Sequence, residues 1–423
     1  MGTCFRGAVR RRRRGDEGVP VNPSRSRSAT AGRLPVRRSI RRHLAENATA
    51  WLFIGPAVAL IGIFGLFPAL FTIYVSLFKY RGKPEGKFVG LGNYAELFGP
   101  NVTYLFAVVA AIAGMVLGSW LVGRRRRFGP AALVLGLVVL AAGGVGLAVS
   151  LPYLAAQGDN EIFDSLRVTI WYSLGTVPVQ LAAGMVLAVF LHRKMRGTQA
   201  FRVVYLMPYV APAVASAAVF EQIFSLRPDA FANQVLKLFG AKPLQWLQEA
   251  KGLVPLLFGA GALPSAAAGT VGTYWLKWAQ GPSLALSAII IYSWWVFIGY
   301  YALIYMNGLS SIPRQLYEAA EVDGAGKLRS FFSITLPLLS PSTYFLSLLG
   351  VIGTFKAFTH IFVLRNAAAQ GTTDPISILI FFTFYRKARM SYASAVSLLL
   401  FVIVIGLTIL QQRLAERRVT YGD

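Results

Sequence analysis

Residues 312–325 read Ile-Pro-Arg-Gln-Leu-Tyr-Glu-Ala-Ala-Glu-Val-Asp-Gly-Ala, and the chain runs on to Ile334-Thr335-Leu336-Pro337. Pro313 can open a helix, and Tyr317 to Val322 supply one or two good helical turns. Gly324 and Gly326 break that helix, and a second one over 327–335 is expected to stop near Pro337. The pattern predicts a projecting helix–turn–helix hairpin. It is too polar to lie in lipid and too regular for a passive linker. Glu318, Glu321 and Asp323 offer carboxylates to a basic partner, and Ala319 and Ala320 permit close approach.

The hairpin sits between long apolar blocks. A helix needs roughly 20 mostly apolar residues to cross the hydrocarbon core. Eight stretches qualify: 51–78, 103–122, 130–151, 166–191, 201–224, 283–308, 343–364 and 393–410. The block 201–224 is interrupted by Arg202, Glu221, Pro208 and Pro212. Two more apolar stretches, 252–271 and 376–384, are expected to lie at the outer surface or against the bundle. The composition agrees, because only 14% of the 423 residues are charged and 55% are hydrophobic. Soluble domains carry about 25% charged residues, so a bilayer is the solvent that fits. The fold class expected is all-α, a polytopic membrane helical bundle of about eight spans.

A net charge of +25 invites a nucleic-acid reading, but its placement argues for the membrane. Basic residues crowd the arm before the first span, then 124–127, Arg193, Lys194 and Arg196, and finally Arg413, Arg417 and Arg418. The positive-inside rule puts such clusters in the cytoplasm. With eight alternating spans and the N-terminus inside, all of them fall there, and both termini are cytoplasmic. Asp159, Glu161 and Asp164, and the long loop 225–282, fall outside. The loop with Lys79, Arg81, Lys83 and Lys87 also falls outside although it is basic. The arm 1–48 is expected to be disordered and to anchor on anionic lipid, with 413–423 as a cytoplasmic tail.

Chemical motifs are sparse. Cys4 is the single cysteine, and His43, His192 and His360 are far apart in sequence, which argues against a disulfide framework or a metal site. No G-x-x-x-x-G-K-[ST] phosphate loop occurs. The spans lack the clustered His, Asp or Glu of a membrane-embedded enzyme. An ion-coupled secondary transporter wants intramembrane carboxylates, and Glu221 is the one plausible candidate.

Residues 312–337 resemble the EAA loop of ABC-importer permeases. Glu318, Ala319, Ala320, Gly324, Ile334, Leu336 and Pro337 fall on that family's offsets, with Asp323 and Ala325 within the same run. The resemblance implies that this loop, 309–341, is the coupling helix that fits a cleft in an ATPase subunit. Gly90-Leu91-Gly92-Asn93-Tyr94 is similar to an element of carbohydrate permeases. Met207-Pro208-Tyr209-Val210-Ala211-Pro212 is similar to the Leu-Pro-Tyr-x-x-Pro element of MalF-type permeases, the larger membrane subunits of maltose/maltodextrin importers. The family core has six spans. The resemblance therefore divides the chain into a first core span with its loop (49–100), an inserted transmembrane hairpin (101–152) and the remaining core (153–412).

A sugar path wants aromatic platforms and a few hydroxyl or amide groups rather than charge. By resemblance, Tyr209 and Tyr300 match sugar-contacting tyrosines, and Ser293 and Thr354 match further contacting positions. Ala213 and Ala357 stand where the maltose subunits have polar contacts. Lys356, Thr359 and His360 are nearby polar groups. Trp294 and Trp295 read as packing. The partners implied are a homologous second permease, an ATPase dimer holding ATP and Mg, and a periplasmic or lipid-anchored sugar-binding protein. This chain itself is expected to hold no cofactor or metal and to bind no nucleic acid. A glycerol-phosphate cargo is the alternative, and it would favour several Arg or Lys on the path.

Overall fold

The computed structural model describes residues 40–80, 86–123, 125–192, 197–259, 261, 263 and 269–415. The N-terminal arm, Cys4, the basic runs near 193–196 and 417–418, and most of 260–268 lie outside them. The chain forms two compact units, Met1–Phe64 and Gly65–Asp423. The first contains α1 (Ile40–Ile61), which enters a π-helical turn at Gly62–Leu66.

The second unit opens with α2 (Phe67–Ser76). Phe78–Lys79 (β1) and Lys87–Phe88 (β2) then pair antiparallel, with Lys79 opposite Lys87. In α3 (Gly92–Phe98), buried Asn93 donates to the carbonyls of Ser76 (2.7 Å) and Phe78 (2.8 Å), which ties this loop to the end of α2. The inserted hairpin is α4 (Val102–Gly123) against α5 (Arg125–Gln157), whose crossing part starts after the non-helical Gly129. Their backbones nearly touch: a Cβ on Gly118 would lie 2.7 Å from the Gly136 carbonyl oxygen. Small residues permit such contact in lipid, where packing rather than water expulsion drives association.

Next come α6 (Asn160–His192), α7 (Thr198–Val210) and α8 (Ala213–Ile223). The 225–282 segment holds α9 (Phe231–Leu238), α10 (Leu253–Phe258) and α11 (Thr270–Ala279). Then follow α12 (Leu284–Ser310), α13 (Arg314–Val322) and α14 (Lys327–Ser330), with a π-helical turn at Phe331–Thr335. The chain ends with α15 (Leu336–Leu338), α16 (Ser340–Phe355), α17 (Thr359–Leu364), α18 (Ile376–Tyr385) and α19 (Met390–Ala415).

Among the described residues, six helices are long and apolar enough to cross a membrane, and eight if each of two bent pairs counts as one span. This is the helical polytopic bundle expected, with the close-packed helices α4 and α5 following the first span. Burial decides which spans are central: half of the most apolar window of Leu284–Ser310 and 39% of that of Asn160–His192 are buried, against 17% for α19. The core follows, with Tyr172, Leu286, Ile289, Tyr292 and Ile361 in one cluster and Tyr305, Leu339 and Leu346 in another.

Two expectations need correction, at 201–224 and at 343–364. The block 201–224 is not one rod but is bent by 93°. Ala211 precedes Pro212 and is extended (φ −64°, ψ 143°), the conformation proline imposes on its predecessor. The second hairpin helix does stop near Pro337: it ends at Leu338, where the chain turns by 61° into α16. Pro337 and Pro341 stand four apart there, and each removes one rung of the helical ladder. The span expected at 343–364 therefore begins earlier and ends at Phe355. Past that point the Ala357 carbonyl accepts from Ser377 Oγ (2.5 Å) instead of continuing a helix. The short apolar helix at 376–385 packs with Ile376, Ile378 and Thr383 buried.

Candidate functional site

Both breaks, at Ala211–Pro212 and at 356–358, border one cavity of about 400 Å³. Tyr209 reaches it from the last turn of α7, and Tyr300 and Tyr301 from α12. Thr354, Thr359 and His360 reach it from the broken end of the seventh span, and Tyr172 and Gln180 from α6. The Tyr209 and Tyr300 rings stack at 4.5 Å with 18° between planes, and Phe297 meets Tyr209 edge-on at 5.9 Å. Such a stack presents flat aromatic faces and two phenol groups together. Tyr209 remains 42% exposed.

Hydrogen bonds order the wall. Ser293 Oγ donates to the Ile289 carbonyl (3.0 Å), which can only accept. Tyr172 O–H therefore donates to Ser293 Oγ (2.7 Å), and its oxygen accepts from His360 Nε2 (2.7 Å). Gln180 Nε2 donates to the Ser293 carbonyl (3.1 Å). Thr354 Oγ1 lies 2.9 Å from Ser173 Oγ. The described lining contains no Asp, Glu, Lys or Arg.

Of the residues expected on the path, Tyr209, Tyr300, Thr354, Thr359 and His360 come together. Ala213 and Ala357 line the same space. Ser293 and Lys356 do not reach it. Ser293 is fully buried behind Tyr172 with its hydroxyl committed, and Lys356 sits exposed at the C-terminal cap of α16. Trp294 packs, donating to the Gly175 carbonyl at 2.9 Å, and Trp295 rests on Phe220. Tyr172, Gln180 and Tyr301 were not anticipated, since a lone polar group inside a long apolar run marks no periodicity.

The second assembly is the hairpin. Gly324 adopts φ 76°, its N–H bonds the Glu321 carbonyl (3.0 Å), and Ala325 N–H bonds the Ala320 carbonyl (2.8 Å). That pair of bonds is a Schellman cap, which requires a left-handed residue at this position. Arg314 pairs with Glu318 at 2.9 Å on the exposed face. Tyr317 O–H shares a 2.9 Å hydrogen bond with Thr335 in the π-helical turn. Glu318, Ala319, Asp323 and Gly324 are exposed, Ala320, Ala325, Ile334 and Pro337 half-buried, and Leu336 37% exposed. The hairpin also displays Val322, Leu328 and Phe332 to solvent. Val322 and Leu328 give no signal in the sequence because each is flanked by charged residues.

Residues 180–420 match the family described as binding-protein-dependent transport system inner membrane component. The chain is 30% identical to the trehalose/maltose transport system permease protein MalF of Thermococcus litoralis, over 63% of this chain and 79% of the relative. It is also 30% identical to the sn-glycerol-3-phosphate transport system permease protein UgpA of Yersinia enterocolitica, over 64% of this chain and 80% of that relative. Among solved structures, a bacterial alginate ABC transporter in complex with alginate pentasaccharide-bound periplasmic protein is similar. That match has 18% identity and a TM-score of 0.50, and covers 71% of this chain and 98% of the other.

Proposed function

The chain belongs to the family of binding-protein-dependent transport system inner membrane components, and we propose that it is the permease subunit of an ATP-driven importer for a neutral sugar. The observation that carries the substrate class is the cavity at the two helix breaks, where stacked Tyr209 and Tyr300 meet hydroxyl, amide and imidazole groups without a formal charge among them. Aromatic faces suit the C–H surfaces of a sugar ring, and the polar groups suit its hydroxyls. A phosphate or uronate would want Arg or Lys facing it, and Lys356 is outside the lining. Trehalose, maltose and short maltodextrins are the cargo this reading favours.

In this reading the chain forms half of the path, and a homologous permease forms the other half. A periplasmic or lipid-anchored binding protein delivers the sugar. ATP and Mg are held by two ATPase subunits that close around the 309–341 loop, while this chain carries out no catalysis. Closure would pull on Tyr317, whose bond to Thr335 leads into the bent seventh span. Both termini then face the cytoplasm.

Reconstitution of the assembled importer in liposomes tests this. ATP-dependent uptake of a neutral disaccharide is expected, with sn-glycerol 3-phosphate ignored. Tyr209→Ala and Tyr300→Ala should each lower uptake at subsaturating sugar about three- to tenfold, as expected for loss of an aromatic pair. Deleting 318–324 should abolish substrate-stimulated ATP hydrolysis. Transport of glycerol phosphate in place of sugar would overturn the substrate class, and normal uptake by the deletion would overturn the docking role.

A further inference from the structure

The basic loop that follows the first span has no part in the sugar path. Lys79 stands directly opposite Lys87 in the two-stranded ladder, and like charges so placed are destabilising unless an anion intervenes. Neither lysine has a carboxylate partner among the described residues. Lys79 also lines a cavity of about 420 Å³ with Lys387, Arg389 and the phenol-bearing Tyr80 and Tyr392. Lys387 and Arg389 each contact one carboxylate, Glu161 and Glu96, neither of which lines the cavity. The walls are well supported: Tyr80 N–H donates to Ser391 Oγ (2.9 Å), Tyr392 O–H to Asp159 (2.6 Å), and buried Asn93 holds the loop to α2.

The same turn between α18 and α19 borders a second cavity, also about 420 Å³ and overwhelmingly apolar. Phe71 and Val75 of α2, Ile380, Phe381 and Phe384 of α18, and Ala393 of α19 line it. Its position decides what can fill it. The span Ala50–Ser76 ends and the span Met390–Ala415 begins at this level. The basic cavity therefore lies at a membrane–water boundary, and the apolar cavity lies beside it at the start of α19, with Met390 and Ala393 in its wall and Ser391 and Tyr392 in the wall of the basic one. Tyr80 and Tyr392 line the basic cavity and Tyr385 the apolar one, as aromatic side chains do at headgroup level.

We propose that these adjoining cavities form one site for an anionic glycerophospholipid, its phosphate headgroup among Lys79, Lys387 and Arg389 and an acyl chain in the groove beside Phe71 and Phe381. The site is independent of the cargo. It nevertheless touches the sugar cavity, because Phe358 forms part of both the groove wall and that lining. It also gives a use to a basic loop that the topology places on the wrong side for the positive-inside rule.

The test uses the full-length chain in its membrane assembly, placed in nanodiscs of equal phosphatidylglycerol and phosphatidylcholine and stripped stepwise with detergent. Native mass spectrometry counts the lipids retained. The unaltered chain should keep phosphatidylglycerol in at least about tenfold preference. Lys79→Gln with Lys387→Gln should lower that retention about fivefold per lysine and leave phosphatidylcholine unchanged. Ser394→Trp, at the groove wall, should lower retention of both lipids without moving the thermal transition. Equal retention of the two lipids by the unaltered chain, or unchanged retention in the double lysine variant, would overturn the site. So would complete displacement by millimolar inorganic phosphate, which would leave no role for the acyl chain. Cross-linking of Ser394→Cys to a second polypeptide would give the groove another occupant and overturn the lipid assignment.

Discussion

At the scale of single residues, the cavity depends on how closely two backbones approach. A Cβ on Gly299 would fall 1.8 Å from the Tyr205 carbonyl oxygen, so only glycine lets α12 lie against α7 at this point. The crossing brings Tyr300, the next residue, under Tyr209. Gly299→Ala must push the helices apart, at a cost of about 1–3 kcal/mol for overpacking, and it must open the tyrosine stack. A lower thermal transition of the detergent-solubilised chain and weakened sugar uptake are expected together; an unchanged transition would refute the close contact. Tyr209 was legible in the sequence because two prolines frame it, and Tyr300 because of its spacing from Trp295. Ser293 was misplaced for an instructive reason. It is seven residues from Tyr300 and shares its face of α12, but spacing gives an angle around a helix and not a depth along it. Seven residues are about 10 Å of rise, enough to carry Ser293 beyond the cavity and under Tyr172.

At the scale of elements, the hairpin was readable because its signals are local: a proline before the first helix, alanines within it and glycine after it. The structure sharpens the last of these, since Gly324 is in the left-handed region and closes a Schellman cap. Gly324→Ala should keep α13 but strain its end by about 1 kcal/mol. The expected outcome is an importer that assembles and hydrolyses ATP yet couples hydrolysis to uptake less tightly. The ratio of sugar moved to ATP consumed measures this, and a wild-type ratio would show that the cap is dispensable. The bent spans were only half legible. Pro212, Pro337 and Pro341 mark where rungs are missing, but the angles of 93° and 61° are settled by tertiary packing. The end of α16 carries only a weak local mark, Lys356 at its C-terminal cap. Mostly apolar residues continue to 364, broken by Thr359 and His360, and the helix stops where Ser377, twenty residues away, takes the Ala357 carbonyl.

At the scale of the whole molecule, hydrophobic runs gave the bundle and its α4–α5 hairpin, because lipid forces nearly every spanning backbone into helix. What they do not settle is how the bent pairs cross. Counting both as spans gives eight crossings and counting neither gives six. Either number is even and leaves the two termini on one side, whereas one crossing pair and one re-entrant pair would give seven and separate them. Cys4, the single cysteine, is a natural reporter for the N-terminal side. A membrane-impermeant maleimide should leave it unlabelled in intact spheroplasts and label it once they are permeabilised. In a Cys4→Ser background, Lys242→Cys, exposed in the 225–282 segment, should label in intact spheroplasts. A cysteine in place of the exposed Arg413 near the end of α19 should behave as Cys4 does. Labelling of the Arg413 position in intact spheroplasts while Cys4 stays protected would mean an odd number of crossings. One bent pair would then be re-entrant, and the shared-side arrangement of the termini would be wrong.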